Sequence, residues 1–254
     1  MTADSFDLAE RLQCPVIVMS DLDLGMNDNV SLPFEWDDSR QYDRGKVLNA
    51  QQLEALTEKW GRYLDVDSDG ICYRTYPGTH PKLGSYFTRG SSHDEYAVYT
   101  EDNKTYKRGM LRLNKKWQTA KTLVPKPHIT IHEKTASYGA IFFGTSTHSS
   151  YEALEKIREN DITINTLRLR GFPFQEEVDE FINNHKIIFV IEQNRDSQVR
   201  TLLINECRVS QDKLFPVTSF DGMPITARHI SKSVIKTLDF LEPSSKNNDQ
   251  GGNK

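Results

Sequence analysis

The loop Thr88–Tyr96 gathers an arginine, a histidine, two acids and several hydroxyls around a glycine. An arginine can bind a carboxylate through paired hydrogen bonds, and a histidine can donate or accept a proton near neutral pH. Arg89 and His93 are therefore the candidate catalytic residues, with Arg89 expected to bind an anionic carboxylate. No residue is assigned to a metal.

The same loop has a structural interpretation. Ser91 or Ser92 would cap a helix N-terminus, and Asp94 and Glu95 would lie in the first turn, where acids are favoured. These residues would then stabilise a helix and would carry no chemistry.

The acidic run Asp65–Gly70 resembles a calcium loop. It places oxygen ligands at loop positions 1, 3 and 5, followed by the glycine that an EF-hand needs. The twelfth position of such a loop is a bidentate glutamate, whereas this sequence has Tyr76 there. The preferred interpretation is an acidic turn at the end of a helix, and calcium binding at Asp65–Gly70 is the alternative.

Polar turns also follow predicted strands, at Gly144–Ser146 and at Glu192–Arg195. Open α/β sheets bind ligands at the carboxyl ends of their strands, and a hydroxyl-rich turn before a helix can hold an anion. The preferred interpretation is that these residues cap helices or face a partner subunit. Asp21 and Asp23 are likewise expected to have turn and hydrogen-bonding roles. The sequence has neither a GxGxxG dinucleotide motif nor a P-loop.

From about Ser137 onward, strands and helices alternate at lengths typical of a parallel sheet covered by helices. The predicted fold class is therefore α/β. The predicted strands are Tyr138–Phe143, Ile162–Leu169, Lys186–Glu192 and Leu214–Ser219, and the predicted helices are Thr147–Glu159, Gln175–Asn184, Asp196–Cys207 and Ile225–Leu241. The tail Ser244–Lys254 is expected to be disordered.

The first half of the chain is less regular. Apolar spacing in the first twelve residues predicts a helix, and the apolar run Pro15–Met19 predicts a buried parallel strand. One helix cannot cover both faces of such a strand, so the rest of its sheet is expected in a portion that precedes residue 1. Two further helices are predicted at Ala50–Tyr63 and Met110–Leu123, in an ordered, aromatic-rich region.

Composition excludes several classes of protein. The net charge of -4 leaves no basic excess to bind nucleic acid. No apolar run is long enough to cross a membrane, and the N-terminus is not a signal peptide, so the cytoplasm is expected. Cys14, Cys72 and Cys207 are odd in number and far apart, which argues against a disulfide framework, a zinc site or an iron–sulfur cluster on this chain alone.

Four segments, taken in order, resemble the alpha subunit of 2-oxoacid:ferredoxin oxidoreductases, above all the branch that acts on 2-oxoglutarate. They are Pro15–Asn27 (PVIVMSDLDLGMN), Pro33–Val47 (PFEWDDSRQYDRGKV), Tyr73–Glu101 (YRTYPGTHPKLGSYFTRGSSHDEYAVYTE) and Phe189–Arg200 (FVIEQNRDSQVR).

Part of the third segment matches a family motif that commonly reads Thr-Gly-Leu-Glu-His-Asp-Glu. The matching residues are Thr88, Gly90, His93, Asp94 and Glu95. Arg89 is inserted after the threonine, and Ser91-Ser92 replaces Leu-Glu, so the motif's first glutamate has no counterpart. The resemblance makes Thr88, Arg89, Gly90, His93, Asp94 and Glu95 a substrate or subunit-interface loop.

The resemblance also implies a division of the chain. Residues 1–30 would be the C-terminal remnant of a thiamine pyrimidine-binding domain, and 31–135 an irregular connecting region with two helices. Residues 136–242 would be an α/β domain like the transketolase C-terminal domain, and 243–254 a disordered tail.

Cofactors and partners follow from the same resemblance. Thiamine diphosphate with Mg²⁺ would lie between this chain and a beta subunit, coenzyme A would be a co-substrate, and an iron–sulfur cluster on another chain would pass electrons to ferredoxin. The 2-oxoacid-binding loop and the glutamate that activates thiamine would belong to a missing N-terminal alpha or gamma portion.

The sequence thus predicts the C-terminal part of an alpha subunit that oxidatively decarboxylates a 2-oxoacid, 2-oxoglutarate by resemblance, to an acyl-CoA. The isolated chain is expected to be inactive. A non-catalytic α/β module that serves assembly or interaction is the alternative.

Overall fold

The structure, a computed structural model, describes residues 2–28 and 30–242. The chain divides into two units. Unit 1 comprises Met1–Met19 and Val30–Val124, and unit 2 comprises Ser20–Asn29 and Pro125–Lys254. The four-part division implied by the resemblance stays a prediction, and the predicted disordered tail Ser244–Lys254 lies outside the described residues.

Helices and strands follow one another in chain order. The helices are α1 (Thr2–Leu12), α2 (Leu22–Met26), α3 (Ala50–Glu54), α4 (Asn103–Lys121), α5 (Ser146–Arg158), α6 (Glu176–Asn183), α7 (Gln198–Cys207) and α8 (Ala227–Leu241), with a 3-10 turn at Gln211–Lys213. The strands are β1 (His128–Thr130), β2 (Tyr138–Phe142), β3 (Ile164–Arg168), β4 (Ile187–Glu192) and β5 (Leu214–Thr218). In the described part of the chain, no helix is both long and apolar enough to span a bilayer.

Two helices of unit 1 were predicted in the right place. The first is α1, whose Leu12 is buried against Ile71 and Ala120. The second is α4, which begins seven residues before the predicted Met110. It starts there because the Asp102 side chain accepts a hydrogen bond from the backbone N–H of Thr105. This N–H belongs to the first turn, so it has no acceptor within the helix.

The predicted helix Ala50–Tyr63 is wrong beyond its first turns. Asn49 and Gln52 form a reciprocal capping box that starts α3, but the helix ends at Glu54. The backbone N–H of Tyr63 donates instead to the carbonyl of Glu95, at 2.9 Å. A long-range hydrogen bond therefore replaces the one that a helix would have made.

The predicted strand Pro15–Met19 is also wrong. These residues have no regular secondary structure, and Ile17 and Met19 are each 80% exposed. A strand exists only where a neighbour accepts and donates its backbone hydrogen bonds. None of the described strands lies beside this run.

Unit 2 contains the predicted α/β sheet. Its strand order is β1-β3-β2-β4-β5, and every pairing is parallel except that of β1 with β3. The four predicted strands and four predicted helices are present with ends shifted by one or two residues, which confirms the α/β fold class. The short edge strand β1 was not predicted.

Alternating strand residues face opposite sides of this sheet. Phe142 and Phe189 pack on the side of α5 and α8, whereas Ile141 and Ile188 pack on the side of α6 and α7. Helices therefore cover both faces, which explains why all six residues of β4 are buried.

A histidine is buried beside α6. His185 is only 4% exposed, its Nδ1 lies 2.7 Å from the carbonyl oxygen of Phe181, and its Nε2 lies 2.9 Å from the side-chain amide of Asn165. One ring nitrogen must donate and the other accept, so this arrangement holds the ring neutral. Burial lowers the pKa of His185 below 6.5.

This arrangement predicts a stability that falls on acidification. Below about pH 6.5 this histidine binds a proton in the unfolded chain but stays neutral in the folded chain. The free energy of unfolding is therefore highest above that pH and falls as the pH drops. Urea midpoints measured at pH 7.5 and 5.5 should therefore diverge less for His185→Gln than for the unaltered chain. The exposed His128→Gln is the control. An equal change in urea midpoint between the two pH values for His185→Gln and the unaltered chain would contradict this prediction.

Candidate functional site

The candidate loop of unit 1 folds as a tight reversing turn. Asp94 and Val98 are joined by a backbone hydrogen bond of 2.9 Å, and His93 pairs with Tyr99 across an antiparallel bridge. The Asp94 carboxylate accepts backbone N–H groups from Tyr96 and Val98, each at 2.9 Å. No helix forms here, so the interpretation as a helix N-terminus is wrong.

His93, like Asp94 and Glu95 of the same loop, lines a cavity. Its ring stacks on Tyr63, with ring centroids 3.7 Å apart and an interplanar angle of 18°. The ring forms part of the wall of a cavity of about 240 Å³, together with Glu95, Arg108 and Arg112. Stacking fixes the plane of the imidazole, which a proton-transfer group needs.

The two acids of the loop have structural duties. Asp94 holds the turn, and Glu95 accepts a 2.8 Å hydrogen bond from Nε of Arg108 on α4. That hydrogen bond lowers the pKa of Glu95 and keeps it ionised. The carbonyl of Glu95 meanwhile holds Tyr63, which supports His93.

Arg89 lies in neither of the two cavities that His93 lines. The Arg89 side chain is exposed, and its guanidinium lies 5.7 Å from the centroid of the Tyr99 ring. His93 also lines a second cavity, which contains Arg62 and Lys116. In the first cavity, the cations that share the wall with His93 are Arg108 and Arg112, which the sequence did not single out. Their spacing of four residues on α4 was a usable signal, since it puts both on one helix face.

The acidic run Asp65–Gly70 is a turn whose carboxylates already have partners. Asp65 accepts the backbone N–H groups of Asp69 and Gly70, at 3.1 and 3.0 Å. The ammonium of Lys46 lies 2.7 Å from Asp67 and 2.9 Å from Asp69. The hydrogen bond from Lys46 lowers the pKa of Asp67. The structure therefore favours the acidic turn over a calcium loop, although α3 ends at Glu54, so the turn does not follow a helix directly.

In unit 2, the side-chain carboxylate of Asp21 lies at the N-terminus of α5. Asp21 Oδ2 accepts hydrogen bonds from the hydroxyl of Thr145 at 2.6 Å and from its backbone N–H at 3.3 Å. Although burial opposes ionisation, the hydrogen bonds from Thr145 and Leu24 lower the pKa of Asp21. The place that an external anion would take at this helix is filled by Asp21.

The carboxylate of Glu192 lies at the N-terminus of α7. It is fully buried at the end of β4, and its carboxylate accepts the backbone N–H groups of Val199 and Arg200, at 2.8 and 2.9 Å. Ser197, the residue in the cap position, is left-handed and makes no capping hydrogen bond. Glu192 therefore acts as the cap, which is one of the two roles expected for this turn.

The sequence is similar to one curated protein along most of its length. No protein-family model matches the sequence. The alpha subunit of 2-oxoacid:ferredoxin oxidoreductase 2 from Aeropyrum pernix is 26% identical over 244 residues, which is 94% of this chain. The resemblance predicted from the motifs is confirmed. The chain spans 36% of that relative's length.

One solved structure has the same fold along most of this chain. A 2-oxoglutarate:ferredoxin oxidoreductase from Magnetococcus marinus, solved with 2-oxoglutarate, coenzyme A and succinyl-CoA bound, matches 91% of this chain with a TM-score of 0.76 and 20% identity. This chain covers 39% of the matched chain. A split-gene transketolase matches 48% of this chain with a TM-score of 0.36, which is too low to add to the fold assignment.

Proposed function

We propose that this chain is the C-terminal part of the alpha subunit of a 2-oxoacid:ferredoxin oxidoreductase, acting in the cytoplasm. The similarity to an alpha subunit along 94% of the chain carries the proposal. The enzyme oxidatively decarboxylates a 2-oxoacid to an acyl-CoA, and 2-oxoglutarate is the proposed substrate.

The proposed enzyme divides its parts among several chains. Thiamine diphosphate and Mg²⁺ are shared with a beta subunit, coenzyme A is a co-substrate, and an iron–sulfur cluster on another chain passes electrons to ferredoxin. An N-terminal alpha or gamma portion supplies the 2-oxoacid-binding loop. When bound, the thiamine cofactor supplies the carbanion chemistry.

The described part of this chain does not contain a ready cluster of metal-binding side chains. Among residues 2–28 and 30–242, no group of three or more His, Cys, Asp or Glu side chains is placed to hold a metal ion. The three cysteines are separate free thiols. We propose that another chain of the enzyme holds the iron–sulfur cluster, and that the Mg²⁺ site is shared with the beta subunit.

An exposed apolar segment supports a multi-subunit assembly. Val30, Leu32, Phe34 and Trp36 are all largely exposed at alternating positions of the chain. Exposed large apolar side chains that cluster in one segment are typical of interaction sites. We propose that another subunit of the enzyme covers it.

Within the assembly, the loop Thr88–Glu95 is the proposed substrate or interface loop of this chain. Arg89 is exposed and able to meet a carboxylate from outside the loop. His93 is held by Tyr63 and is able to exchange a proton with a group that enters its cavity. Gly90 makes the turn between them, with φ +72°.

Replacing His93 by glutamine should lower kcat of the assembled enzyme by about 10²-fold, since glutamine keeps a polar side chain but cannot exchange a proton. Steady-state dye reduction by the complete complex measures this, and His128→Gln, at an exposed site in unit 2, is the matched control. An unchanged kcat in His93→Gln would remove His93 from the reaction.

A panel of 2-oxoacids tests the proposed substrate. The assembled enzyme, supplied with coenzyme A and a viologen dye, should show its highest kcat/KM with 2-oxoglutarate. A preference for pyruvate or a branched 2-oxoacid would overturn the specificity, and no dye reduction with any 2-oxoacid would overturn the proposed function.

A further inference from the structure

A second cavity of unit 1, of about 280 Å³, shares Tyr63, His93 and Arg112 with the first. Three basic side chains line it, Arg62, Arg112 and Lys116. In the described part of the chain, none of them lies within 4.0 Å of a carboxylate oxygen. The nearby acids are otherwise engaged, since Glu95 pairs with Arg108 and Asp65 pairs with backbone N–H groups. Unpaired cations converging on one cavity are unusual, because like charges repel and burial disfavours them.

Neutral contacts satisfy only part of this basic cluster. Arg112 donates to the carbonyl of Gly70 at 2.9 Å, and Lys116 donates to the carbonyl of Gln13 at 3.3 Å. The Nε atom of Arg62 is buried with no hydrogen-bond partner. The basic cluster therefore keeps donors free for a ligand.

The cavity wall also holds a second buried donor without a partner, the hydroxyl of Ser92. Both arginines lie near the Tyr63 ring, since their guanidinium carbons are 5.0 Å (Arg62) and 5.9 Å (Arg112) from its centroid. Arginine stacked on an aromatic ring is preorganised, so it loses little freedom when it binds an anion.

The positive charges of the basic cluster repel one another. Burial lowers the pKa of Lys116, and the positive charges of Arg112 and Arg62 lower it further. An anion in the cavity would reverse this repulsion and would favour the charged ammonium.

We propose that this cavity binds the phosphoryl group of a soluble ligand through Arg62, Arg112 and Lys116, with Ser92 as a neutral donor. A phosphoryl group carries up to two negative charges on oxygens that point in several directions, which suits three cations better than the single charge of a carboxylate. The inference depends on the cavity alone and holds whether or not the chain serves the proposed oxidoreductase.

Calorimetric titration of the full chain with pyrophosphate, at ionic strength matched with NaCl, tests the proposal. The unaltered chain should bind, and Lys116→Met should weaken binding about tenfold or more. Without pyrophosphate, the same substitution should raise the melting temperature, because it removes a half-buried ammonium whose charge no carboxylate balances. Lys107→Met, at an exposed site on the same helix, should change neither result.

Several outcomes would overturn the proposal. These are equal pyrophosphate affinity for the unaltered chain and Lys116→Met, an equal loss in Lys107→Met, or succinate binding as tightly as pyrophosphate. If Lys116→Met does not fold, Arg62→Gln gives the same test, since its free Nε is not holding the structure. Because no oxidoreductase activity is measured, failure here is distinct from failure of the proposed function.

Discussion

Replacing Gly70 by alanine is expected to lower the free energy of unfolding of unit 1 by about 4 kcal/mol. Gly70 has φ +81°, and a Cβ atom there would meet the backbone N of Lys116 and would lie 2.7 Å from the carbonyl oxygen of Arg112. Both atoms belong to the backbone of α4, so no side-chain rotation relieves the contact. The substitution must displace either the turn or the helix.

Gly78→Ala is the matched control for this substitution. Gly78 has φ +82°, but nothing lies within 4 Å of the position its Cβ would take. It should therefore show only the conformational penalty of about 1 kcal/mol. All three tryptophans, Trp36, Trp60 and Trp117, lie in unit 1, so urea unfolding followed by tryptophan fluorescence reads this unit. Equal losses for the two variants would show that the contact with α4 does not matter.

Replacing Glu192 by alanine is expected to destabilise unit 2 by about 3 kcal/mol. The carboxylate is fully buried and accepts two backbone N–H groups of α7 and the side-chain amide of Asn194. Without it these half-buried donors lose their acceptor, and Ser197 cannot replace the cap because its backbone is left-handed.

Urea unfolding followed by far-UV circular dichroism measures this loss, and hydrogen exchange should show reduced protection in α7. Glu155→Ala, at an exposed position of α5, is the control and should change stability by less than about 0.5 kcal/mol. A Glu192→Ala variant as stable as Glu155→Ala would contradict the capping role.

The sheet of unit 2 was predictable because its signals are local. Apolar runs such as Ile187–Glu192 are bounded by turn residues and separated by amphipathic helices, which is enough to set strand type and order of elements. The edge strand His128–Thr130 carries no such signal, since it is three residues long and exists through its pairing with β3.

Unit 1 was harder because distant residues decide its structure. The apolar run Pro15–Met19 has strand-like composition but none of the described strands lies beside it. Tyr63, which the predicted helix included, pairs with Glu95 instead. A pattern read along the chain contains no information on such partners.

The candidate loop illustrates the same limit for function. Residue types alone drew attention to Thr88–Tyr96, but they did not show that Asp94 and Glu95 stabilise the turn while His93 faces a cavity. The cations that surround His93 come from α4 and from Arg62, which lie elsewhere in the sequence. Only the folded chain brings these groups together.

The most direct test of the proposed function is activity of the chain with and without its partner subunits. A tagged chain purified from its native cells should carry a beta subunit, and this assembly should reduce a viologen dye only when a 2-oxoacid and coenzyme A are both present. The same chain stripped of its partners should show no turnover. Equal turnover by the isolated chain, or an assembly that reduces no dye with any 2-oxoacid, would contradict the assignment.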